Sequence, residues 1–243
     1  MDINIASFQK DLNQFHIKID DKQLDQFIQY YHLLTEWNSF MNLTAITEFG
    51  EVLKKHFVDS VSLVNAFPDL SEKSYCLIDV GTGAGFPGIP LKIIFPGMKV
   101  TLLDSLNKRV QFLNEVVHAL NLQDVKIIHG RAEDYAKEKD HRESYDLCVS
   151  RAVANMTTLS EYCIPFVKKG GYFISYKSEK ITKEYDQAKK AIEILGGKYE
   201  RQVEFELPDS NIYRNLFIIR KESNTPMKFP RKAGLPSKDP IME

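Results

Sequence analysis

The residues best suited to chemistry lie in a glycine-rich stretch between Cys76 and Pro90. This stretch has the sequence C-L-I-D-V-G-T-G-A-G-F-P-G-I-P, an apolar run followed by closely spaced glycines. The apolar run is typical of a buried parallel strand, and glycines let the backbone turn sharply and approach a ligand without a Cβ in the way. Pro87 and Pro90 suit the first turn of a helix, where the missing N–H would be unpaired in any case. The stretch therefore predicts a strand, a glycine loop and a helix N-terminus, the first half of a nucleotide-type cofactor site.

Two spacings fit these glycines, and they predict different cofactors. Gly83, Gly85 and Gly88 match the G-x-G-x-x-G pattern of dinucleotide-binding loops. Asp79, with glycines at 81, 83 and 85, matches the acid-x-G-x-G-x-G pattern of enzymes that use S-adenosylmethionine (AdoMet). A carboxylate two residues before the first glycine would attract the ammonium of a methionine moiety and would repel a pyrophosphate. Asp79 therefore favours AdoMet.

A second carboxylate follows the next apolar strand. Asp104 lies 21 residues after Gly83, where the ribose hydroxyls of either cofactor would need a carboxylate partner. The alternative is a loop whose glycines serve packing alone, and two acids at the expected positions argue against it.

A parallel sheet is needed to position these residues. From Tyr75 onward, strand patterns alternate with helical patterns, as in a sheet covered by helices on both faces. We predict strands near 75–80, 99–103, 125–129, 145–149 and 171–176, and helices near 88–95, 106–120, 154–167 and 180–195.

Two further strand patterns, 199–207 and 215–220, flank a turn-rich connection at 208–211 and predict a hairpin. An α/β fold whose mostly parallel sheet ends in an antiparallel hairpin is the class I AdoMet-dependent methyltransferase arrangement. A dinucleotide-binding fold would instead repeat its first half. The hairpin therefore also favours AdoMet.

The chain divides into three regions by composition. Residues 1–68 predict an N-terminal helical subdomain, because apolar residues recur there at helical spacing, and residues 69–222 predict the methyltransferase domain. Residues 223–243 form a basic, proline-rich tail without apolar periodicity, which we expect to be flexible or clamped to the surface. Its cations could contact phosphates or simply be solvated.

Composition limits the functional classes further. A chain of 243 residues with 43% hydrophobic residues can bury a full core, and a net charge of −1 means that nucleic acid could be bound only by local clusters of cations. The three cysteines lie in apolar contexts without the spacing of a zinc site, so we expect a reducing compartment and no metal. Neither a signal peptide nor a membrane span is predicted, and we expect a cytoplasmic protein.

The predicted strand ends supply the remaining candidates, because ligands of an open α/β sheet lie beyond the carboxyl ends of its strands. Arg131, Ala132 and Glu133 follow the third strand, in a segment that could lie beside an adenine ring. The fourth strand is followed by S-R-A-V at 150–153. This sequence has neither the Asn/Asp-Pro-Pro-aromatic motif of exocyclic amine methylation nor the cysteine nucleophile of C5 methylation.

Cations dominate the rest of the predicted crevice. Arg131 and Arg151 follow strands, and Arg214 begins the last strand at the same edge of the sheet. Lys108 and Arg109 open the helix after the second strand. Several converging cations suit an anionic substrate such as an RNA backbone. The alternative for Arg109 is a plain charge on the helix surface, and the alternative for Arg131 is a carboxylate partner.

Several separate motifs together resemble one family, the ribosomal RNA small subunit methyltransferase G family, also known as glucose-inhibited division protein B. The motifs are E-W-N at 36–38, N-L-T at 42–44, H-F-V-D-S at 56–60, the glycine stretch at 79–88, D-S-L-N-K-R at 104–109, R-A-E at 131–133, S-R-A-V-A at 150–154 and F-P-R-K-A-G-L-P at 229–236. The resemblance runs essentially from end to end. Phe86 stands where many relatives have leucine, and Ala233 stands where relatives often have proline.

The resemblance implies transfer of a methyl group from AdoMet to N7 of a guanine in the 530 loop of 16S rRNA. It also implies AdoMet contacts at Gly81, Phe86, Ala132, Glu133 and Arg151. Guanine N7 carries an unprotonated lone pair, so this transfer would need alignment of the reacting atoms and a site that tolerates charge, and no general base.

We therefore expect one site with three sets of residues. The expected cofactor contacts are Asp79, Gly81, Gly83, Gly85, Phe86, Asp104, Ser105, Ala132, Glu133 and Arg151. The candidates for catalysis are Arg131, Arg151 and Arg214. The expected RNA contacts are Lys108, Arg109, Lys228, Arg231 and Lys232.

The expected cofactor is AdoMet, which would leave as S-adenosylhomocysteine. The expected partner is 16S rRNA or the small ribosomal subunit. We expect the protein to be a monomer and to bind no membrane. An AdoMet methyltransferase of a small molecule or protein, and a non-catalytic RNA-binding protein, are the alternatives.

Overall fold

The computed structural model describes residues 2–151, 154–179 and 181–241. Two helices, α1 (Asp2–Gln14) and α2 (Asp21–Met41), open the chain. Asp20 begins α2 with a capping box, in which its side chain accepts from the Gln23 N–H and the Gln23 side chain accepts from the Asp20 N–H.

The next helical segment changes its winding three times. It consists of α3 (Phe49–Val52), a π-helical stretch (Leu53–Val58), α4 (Asp59–Val61) and a 3₁₀ turn (Ser62–Asn65). Asp59 thus lies directly after the π-helical stretch, a type of irregularity that is frequent at functional sites.

A seven-stranded sheet forms the centre of the fold. Its strands are β1 (Cys76–Val80), β2 (Lys99–Asp104), β3 (Val125–His129), β4 (Tyr145–Ser150), β5 (Val167–Lys177), β6 (Gly197–Glu206) and β7 (Tyr213–Lys221). They are arranged in the order 3-2-1-4-5-7-6, in which β1 to β5 are parallel and β7 runs antiparallel to both of its neighbours. This topology confirms the predicted class I methyltransferase arrangement with its C-terminal hairpin.

Helices cover the sheet. They are α5 (Gly88–Ile94), α6 (Asn107–Ala119), α7 (Ala132–Tyr135), α8 (Met156–Cys163), α9 (Thr182–Ile194) and α10 (Leu235–Lys238), with a 3₁₀ turn at Ile164–Phe166. Among the described residues, no helix is long and apolar enough to cross a membrane.

The main difference from the predicted elements lies between α8 and β5. The helix expected over 154–167 ends at Cys163, and β5 begins at Val167 rather than at 171. Gly170 and Gly171 favour a turn by sequence, but Gly171 packs so closely on β4 that an added Cβ would lie 2.5 Å from the Asp146 carbonyl oxygen. The two glycines therefore allow an irregular strand pairing rather than a break.

The core has two apolar clusters on opposite faces of the sheet. Leu77 and Leu102 belong to one cluster and Ile78 and Leu103 to the other, as the alternation of side chains along a strand requires. The first cluster also contains residues of α1 and α2, among them the buried Phe27. The helices of residues 1–68 therefore share a hydrophobic core with the sheet.

The C-terminal tail is clamped to the surface of the sheet domain. The Phe229 side chain is buried, and the Arg142 guanidinium donates to the carbonyl oxygens of Thr225 at 2.6 Å and Phe229 at 2.9 Å. Of the two arrangements expected for the tail, the structure has the clamped one.

Candidate active site

The glycine loop after β1 has an open side and a packed side. Gly83 has a φ of +63°, and an added Cβ would meet no atom within 4 Å, so its backbone faces open space. Gly85 has a φ of +96°, and an added Cβ would lie 2.6 Å from the Tyr30 hydroxyl oxygen. That hydroxyl donates to the Ala84 carbonyl oxygen. Gly83 is therefore accessible to a ligand, whereas Gly85 allows α2 to pack on the loop.

Asp79 is fully buried and braces the same loop. Its Oδ2 accepts hydrogen bonds from Thr82 Oγ1 at 2.6 Å and from the Gly88 N–H at 2.9 Å. Its Oδ1 has no partner within the part of the chain that the structure describes. Burial raises the pKa of Asp79 to about 7, against the hydrogen bonds from Thr82 and Gly88, which lower it. A buried carboxylate with a spare acceptor oxygen fits a cationic donor such as the ammonium of AdoMet.

Asp104 ends β2 and connects it to the glycine loop. Its Oδ2 accepts from the Gly83 N–H at 2.9 Å and lies 3.4 Å from Arg109 Nη1, while its Oδ1 accepts from the Leu106 N–H at 2.9 Å. Arg109 is therefore paired with a carboxylate in this structure, rather than being the plain surface charge that was its alternative. A carboxylate offers about four acceptor positions, so one remains for a ligand hydroxyl.

A cavity of about 260 Å³, termed the loop cavity, lies beside these residues. It is lined by Val80, Gly81, Leu103, Asp104, Ser105, Arg109, Gly130, Arg131, Ala132, Glu133, Ala154, Leu159 and Tyr162. The ends of β1, β2 and β3 all contribute to this lining, so the structure brings the expected residues 81, 104, 105, 131, 132 and 133 together. The other expected cofactor contacts, at 79, 83, 85, 86 and 151, are not among the lining residues. The combination of an acidic strand end with accessible loop backbone fits the nucleoside part of AdoMet.

A second group of residues is organised by Asp59, whose side chain is 5% exposed. Its Oδ2 lies 3.1 Å from Arg151 Nη1, and its Oδ1 accepts from Arg214 Nε at 2.8 Å. One carboxylate thus holds two guanidinium groups that come from distant parts of the sequence. Two arginines with one shared carboxylate leave a net positive charge at this place.

A cavity of about 550 Å³, termed the arginine cavity, opens at these groups. It is lined by Ile46, Lys55, His56, Asp59, Arg151, Tyr176, Lys177, Ser178, Glu179 and Arg214. Arg151 follows β4 directly, and Ala154, three residues later, lines the loop cavity. The two cavities therefore lie at the same end of β4.

His56 is a neutral part of the arginine cavity. Burial lowers the pKa of His56 to about 3, and the Arg151 guanidinium acts in the same direction. Its Nδ1 lies 3.2 Å from Arg151 Nη2 and accepts from it, so Nε2 carries the proton and donates to Thr44 Oγ1 at 2.8 Å. With both ring nitrogens in hydrogen bonds, His56 orients Arg151.

Phe86 contacts both of these side chains. Its ring stacks on the His56 ring at 4.6 Å between centroids, and the Arg151 Cζ lies 5.0 Å from the Phe86 centroid. In this structure, the side chains of Phe86 and Arg151, both expected to contact the cofactor, thus belong to the group around the arginine cavity.

The other expected cations have different surroundings. Arg131, Lys108 and Lys232 are exposed, and the exposed Lys228 has its Nζ 5.3 Å from the centroid of the Phe229 ring. Arg231 was expected to contact RNA, but in this structure it has a partner within the protein. Its guanidinium binds both carboxylate oxygens of Glu161, because that buried carboxylate requires a partner.

The sequence did not identify Asp59, His56 and Glu161 as site residues. The first two lie in the H-F-V-D-S motif at 56–60, which carried part of the family resemblance. No spacing rule connects that motif with residues 151 and 214. Among the described residues, no group of three or more His, Cys, Asp and Glu side chains could hold a metal ion.

A larger cavity, of about 720 Å³, lies elsewhere. It includes Ser74 and Gly97, which precede β1 and β2, and so it opens near the amino ends of these strands. Its size is not a reason to place the chemistry there, since the ligands of an open α/β sheet bind at the carboxyl ends.

Comparisons with known proteins find relatives over nearly the whole chain. Residues 23–213 match the family model of rRNA small subunit methyltransferase G. The "Ribosomal RNA small subunit methyltransferase G" of Lachnoclostridium phytofermentans is 52% identical over 98% of this chain and 97% of its own length. The protein of the same name from Acetivibrio thermocellus is 53% identical over 93% of this chain and 92% of its own length.

Solved structures share the fold at low sequence identity. The fibrillarin pre-rRNA processing protein of Methanococcus jannaschii has a TM-score of 0.51 and 17% identity, with 68% of this chain and 76% of that chain covered. TYW2 of M. jannaschii, solved in complex with AdoMet, has a TM-score of 0.50 and 16% identity, with 66% of this chain and 74% of that chain covered. Similarity at this level of identity concerns the fold alone.

Proposed function

Because the chain belongs to the rRNA small subunit methyltransferase G family, we propose that its two cavities serve the two substrates of one reaction. The protein is an AdoMet-dependent methyltransferase of 16S rRNA, and the methylated atom is N7 of a guanine in the 530 loop. The strongest support from the structure is the position of two chemically different cavities at one end of β4.

The loop cavity is proposed to hold the cofactor. Bound AdoMet would supply a methyl group on a positively charged sulfonium, and S-adenosylhomocysteine would leave. The remaining acceptor position of Asp104, which lines this cavity, suits a ribose hydroxyl. Asp79 is fully buried and is not among the lining residues, so its unpaired Oδ1 would bind the ammonium only after the glycine loop opens. The open backbone at Gly83 lets a ligand approach closely.

The arginine cavity is proposed to hold the RNA. Arg151 and Arg214 present guanidinium groups, which bind phosphate oxygens and base carbonyl oxygens in a planar geometry. Asp59 fixes both groups, and a fixed donor costs no reorganisation when the substrate binds. Arg131 is exposed and lines the loop cavity, so it is not part of this pair.

The neutral state of His56 in the arginine cavity is compatible with attack of guanine N7 on the methyl group. A lone pair on N7 needs no proton removed, so the reaction requires alignment rather than a general base. His56, whose pKa is lowered to about 3, is neutral at neutral pH, and both of its ring nitrogens are engaged. Its role in the proposal is therefore to hold Arg151.

The test uses small ribosomal subunits from cells that lack this protein, incubated with the purified protein and AdoMet labelled in its methyl group. We expect label in 16S rRNA, at one N7-methylguanine in the 530 loop. Cleavage of the rRNA at the modified base would locate it. AdoMet binding without label in rRNA, in naked RNA and in subunits alike, would favour a methyltransferase of a small molecule or protein. Tight RNA binding without AdoMet binding would favour a non-catalytic RNA-binding protein.

A further inference from the structure

The C-terminal segment 229–238, termed the tail clasp, contacts two helices that line the loop cavity. The Gly234 N–H donates to Glu133 Oε1 at 2.8 Å, and Glu133 lies in the first turn of α7. Arg231 binds Glu161 of α8 with its backbone N–H at 2.7 Å and with its guanidinium at 2.8 to 3.1 Å. The tail clasp therefore joins α7 to α8.

Both helices contribute directly to the wall of the loop cavity. Ala132 and Glu133 of α7 line it, as do Leu159 and Tyr162 of α8. A further hydrogen bond, from Thr158 Oγ1 of α8 to the Pro236 carbonyl oxygen at 3.1 Å, fixes the far end of the clasp. A movement of the clasp would therefore be transmitted to this wall.

The carboxylates of Glu133 and Glu161 make detachment of the tail clasp energetically unfavourable. The side chain of Glu161 is 1% exposed, and Glu133 is 3% exposed. If the tail detached, these groups would lose the Arg231 guanidinium and the Gly234 N–H while still buried. A buried carboxylate without a partner is strongly unfavourable, so α7 and α8 would have to shift until water reaches the carboxylates.

We propose that the tail clasp holds α7 and α8 in the arrangement that binds AdoMet, so that tail docking and cofactor affinity are coupled. Arg231 is then a positioning residue for the cofactor site. This inference depends on the proposed function only in taking AdoMet as the ligand of the loop cavity.

Coupling between two sites is reciprocal, so it can be measured from either side. A variant that weakens tail docking must weaken AdoMet binding. Bound AdoMet must in turn favour the docked tail by the same factor, and couplings of this kind usually amount to about 5- to 150-fold. A merely structural role for Arg231 would not produce the second effect.

The first experiment measures AdoMet affinity by calorimetry in the absence of RNA. Arg231→Ala should weaken binding by about 5- to 150-fold. Because this variant leaves Glu161 buried without its guanidinium and could unfold, the double variant Glu161→Gln with Arg231→Gln removes both charges together. Lys238→Ala, which removes an exposed charge from the same segment, should leave the AdoMet dissociation constant unchanged.

The second experiment uses trypsin cleavage of the native chain after Lys232. Saturating AdoMet should slow this cleavage by the same factor, while cleavage after Lys73, which is exposed in the turn before β1, should not change. Failure of the native protein to bind AdoMet would contradict the proposed function itself. If the native protein and the double variant bind AdoMet equally, and AdoMet does not protect Lys232, the proposed coupling is wrong.

Discussion

The loop cavity and the arginine cavity lie at the same end of the sheet, but they are built in different ways. The loop cavity is made by consecutive strand ends, and much of its surface is backbone and small side chains. The arginine cavity is made by long charged side chains from residues 59, 151 and 214, which meet only in the folded protein.

This difference indicates how each cavity would tolerate change. In the loop cavity, several groups could each bind part of the same ligand, so loss of one contact should weaken binding by a limited amount. In the arginine cavity, both guanidinium groups depend on one carboxylate, so loss of Asp59 should disorder both at once. The following predictions test this comparison.

Replacement of Asp59 should have the largest effect. In Asp59→Asn, the neutral amide can no longer hold two guanidinium groups, and displacement of a positioning group by about 1 Å costs roughly 100-fold in rate. We therefore expect methyl transfer to 16S rRNA to fall by at least about 100-fold in single-turnover assays, with AdoMet affinity within about twofold of the parent.

Asp186→Asn, which alters an exposed carboxylate paired with Lys189 on α9, is the matched control and should keep full activity. A melting curve of each variant separates lost alignment from lost folding. If Asp59→Asn transferred methyl groups at the parental rate, the arginine pair would not depend on its shared carboxylate.

Replacement of Asp104 should affect cofactor binding instead. Loss of a charge-assisted hydrogen bond costs about 1–3 kcal/mol, so Asp104→Ala should weaken AdoMet binding by roughly 5- to 150-fold. RNA affinity, measured without AdoMet, should not change. Asp104→Asn keeps the shape of the side chain, so its AdoMet affinity should lie between those of the parent and Asp104→Ala. Equal AdoMet affinity in all three proteins would remove Asp104 from the cofactor site.

Arg151→Lys should have a smaller effect, concentrated on the chemical step. The guanidinium reaches Asp59 Oδ2 and His56 Nδ1 together, whereas a lysine ammonium lacks the planar geometry for both. We expect a loss of about tenfold in methyl transfer, which corresponds to about 1.4 kcal/mol of barrier.

The matched control is Arg201→Lys, since Arg201 also lies over an aromatic ring, that of Phe67, but on β6. It should retain parental activity. Parallel loss of melting temperature and activity in Arg151→Lys would instead indicate that the ion pair with Asp59 is mainly structural.

The smallest expected effect is a difference in pH dependence. Burial raises the pKa of Asp79 to about 7, so this carboxyl gains its charge as pH rises through neutrality. AdoMet affinity should therefore increase between pH 6 and 7, by about fivefold at most, and Asp79→Asn should remove the increase. His56 stays neutral over this interval because its pKa is about 3, so it adds no titration at the arginine cavity. Calorimetry at several pH values checks both statements.

The raised pKa of Asp79 also predicts how the stability of the protein changes with pH. The native protein keeps the Asp79 proton up to about pH 7, whereas the unfolded chain releases it near the ordinary value of 3.8. The unfolded state therefore binds fewer protons between these values, and the contribution of Asp79 to stability falls as pH rises through this interval. Unfolding by denaturant should show that Asp79→Asn lacks this fall. An identical pH dependence in both proteins would contradict the raised pKa.

The sheet and its loop were predictable because their signals are local. The strand patterns before residues 81 and 104 and the hairpin connection at 208–211 predicted the observed topology. Periodicity and glycine spacing report the backbone within a few residues, and the loop cavity is built from such short segments. The end of the third predicted strand supplied Ala132 and Glu133, which the resemblance also implied and which the structure places in the same lining.

The arginine cavity and the tail clasp could not be derived in this way. The bonds from Asp59 to Arg151 and Arg214 span 92 and 155 residues, and the Arg231 bond to Glu161 spans 70 residues. A charged residue gives no local signal of its partner, and surface charges are common. Which cations face a substrate and which neutralise a buried carboxylate is decided by tertiary packing.

Because of the π-helical stretch before Asp59, the position of this carboxylate depends on the number of residues in the helix as well as on their types. A π-helical turn holds about one residue more than an α-helical turn, and each residue of an α-helix advances by about 100° around the axis. The extra residue within Leu53–Val58 therefore sets the rotational phase at which Asp59 emerges from the helix. Deletion of one residue there would turn this carboxylate by more than a quarter of a circle. The arginine pair would then lose its shared partner although all three side chains remained in the sequence.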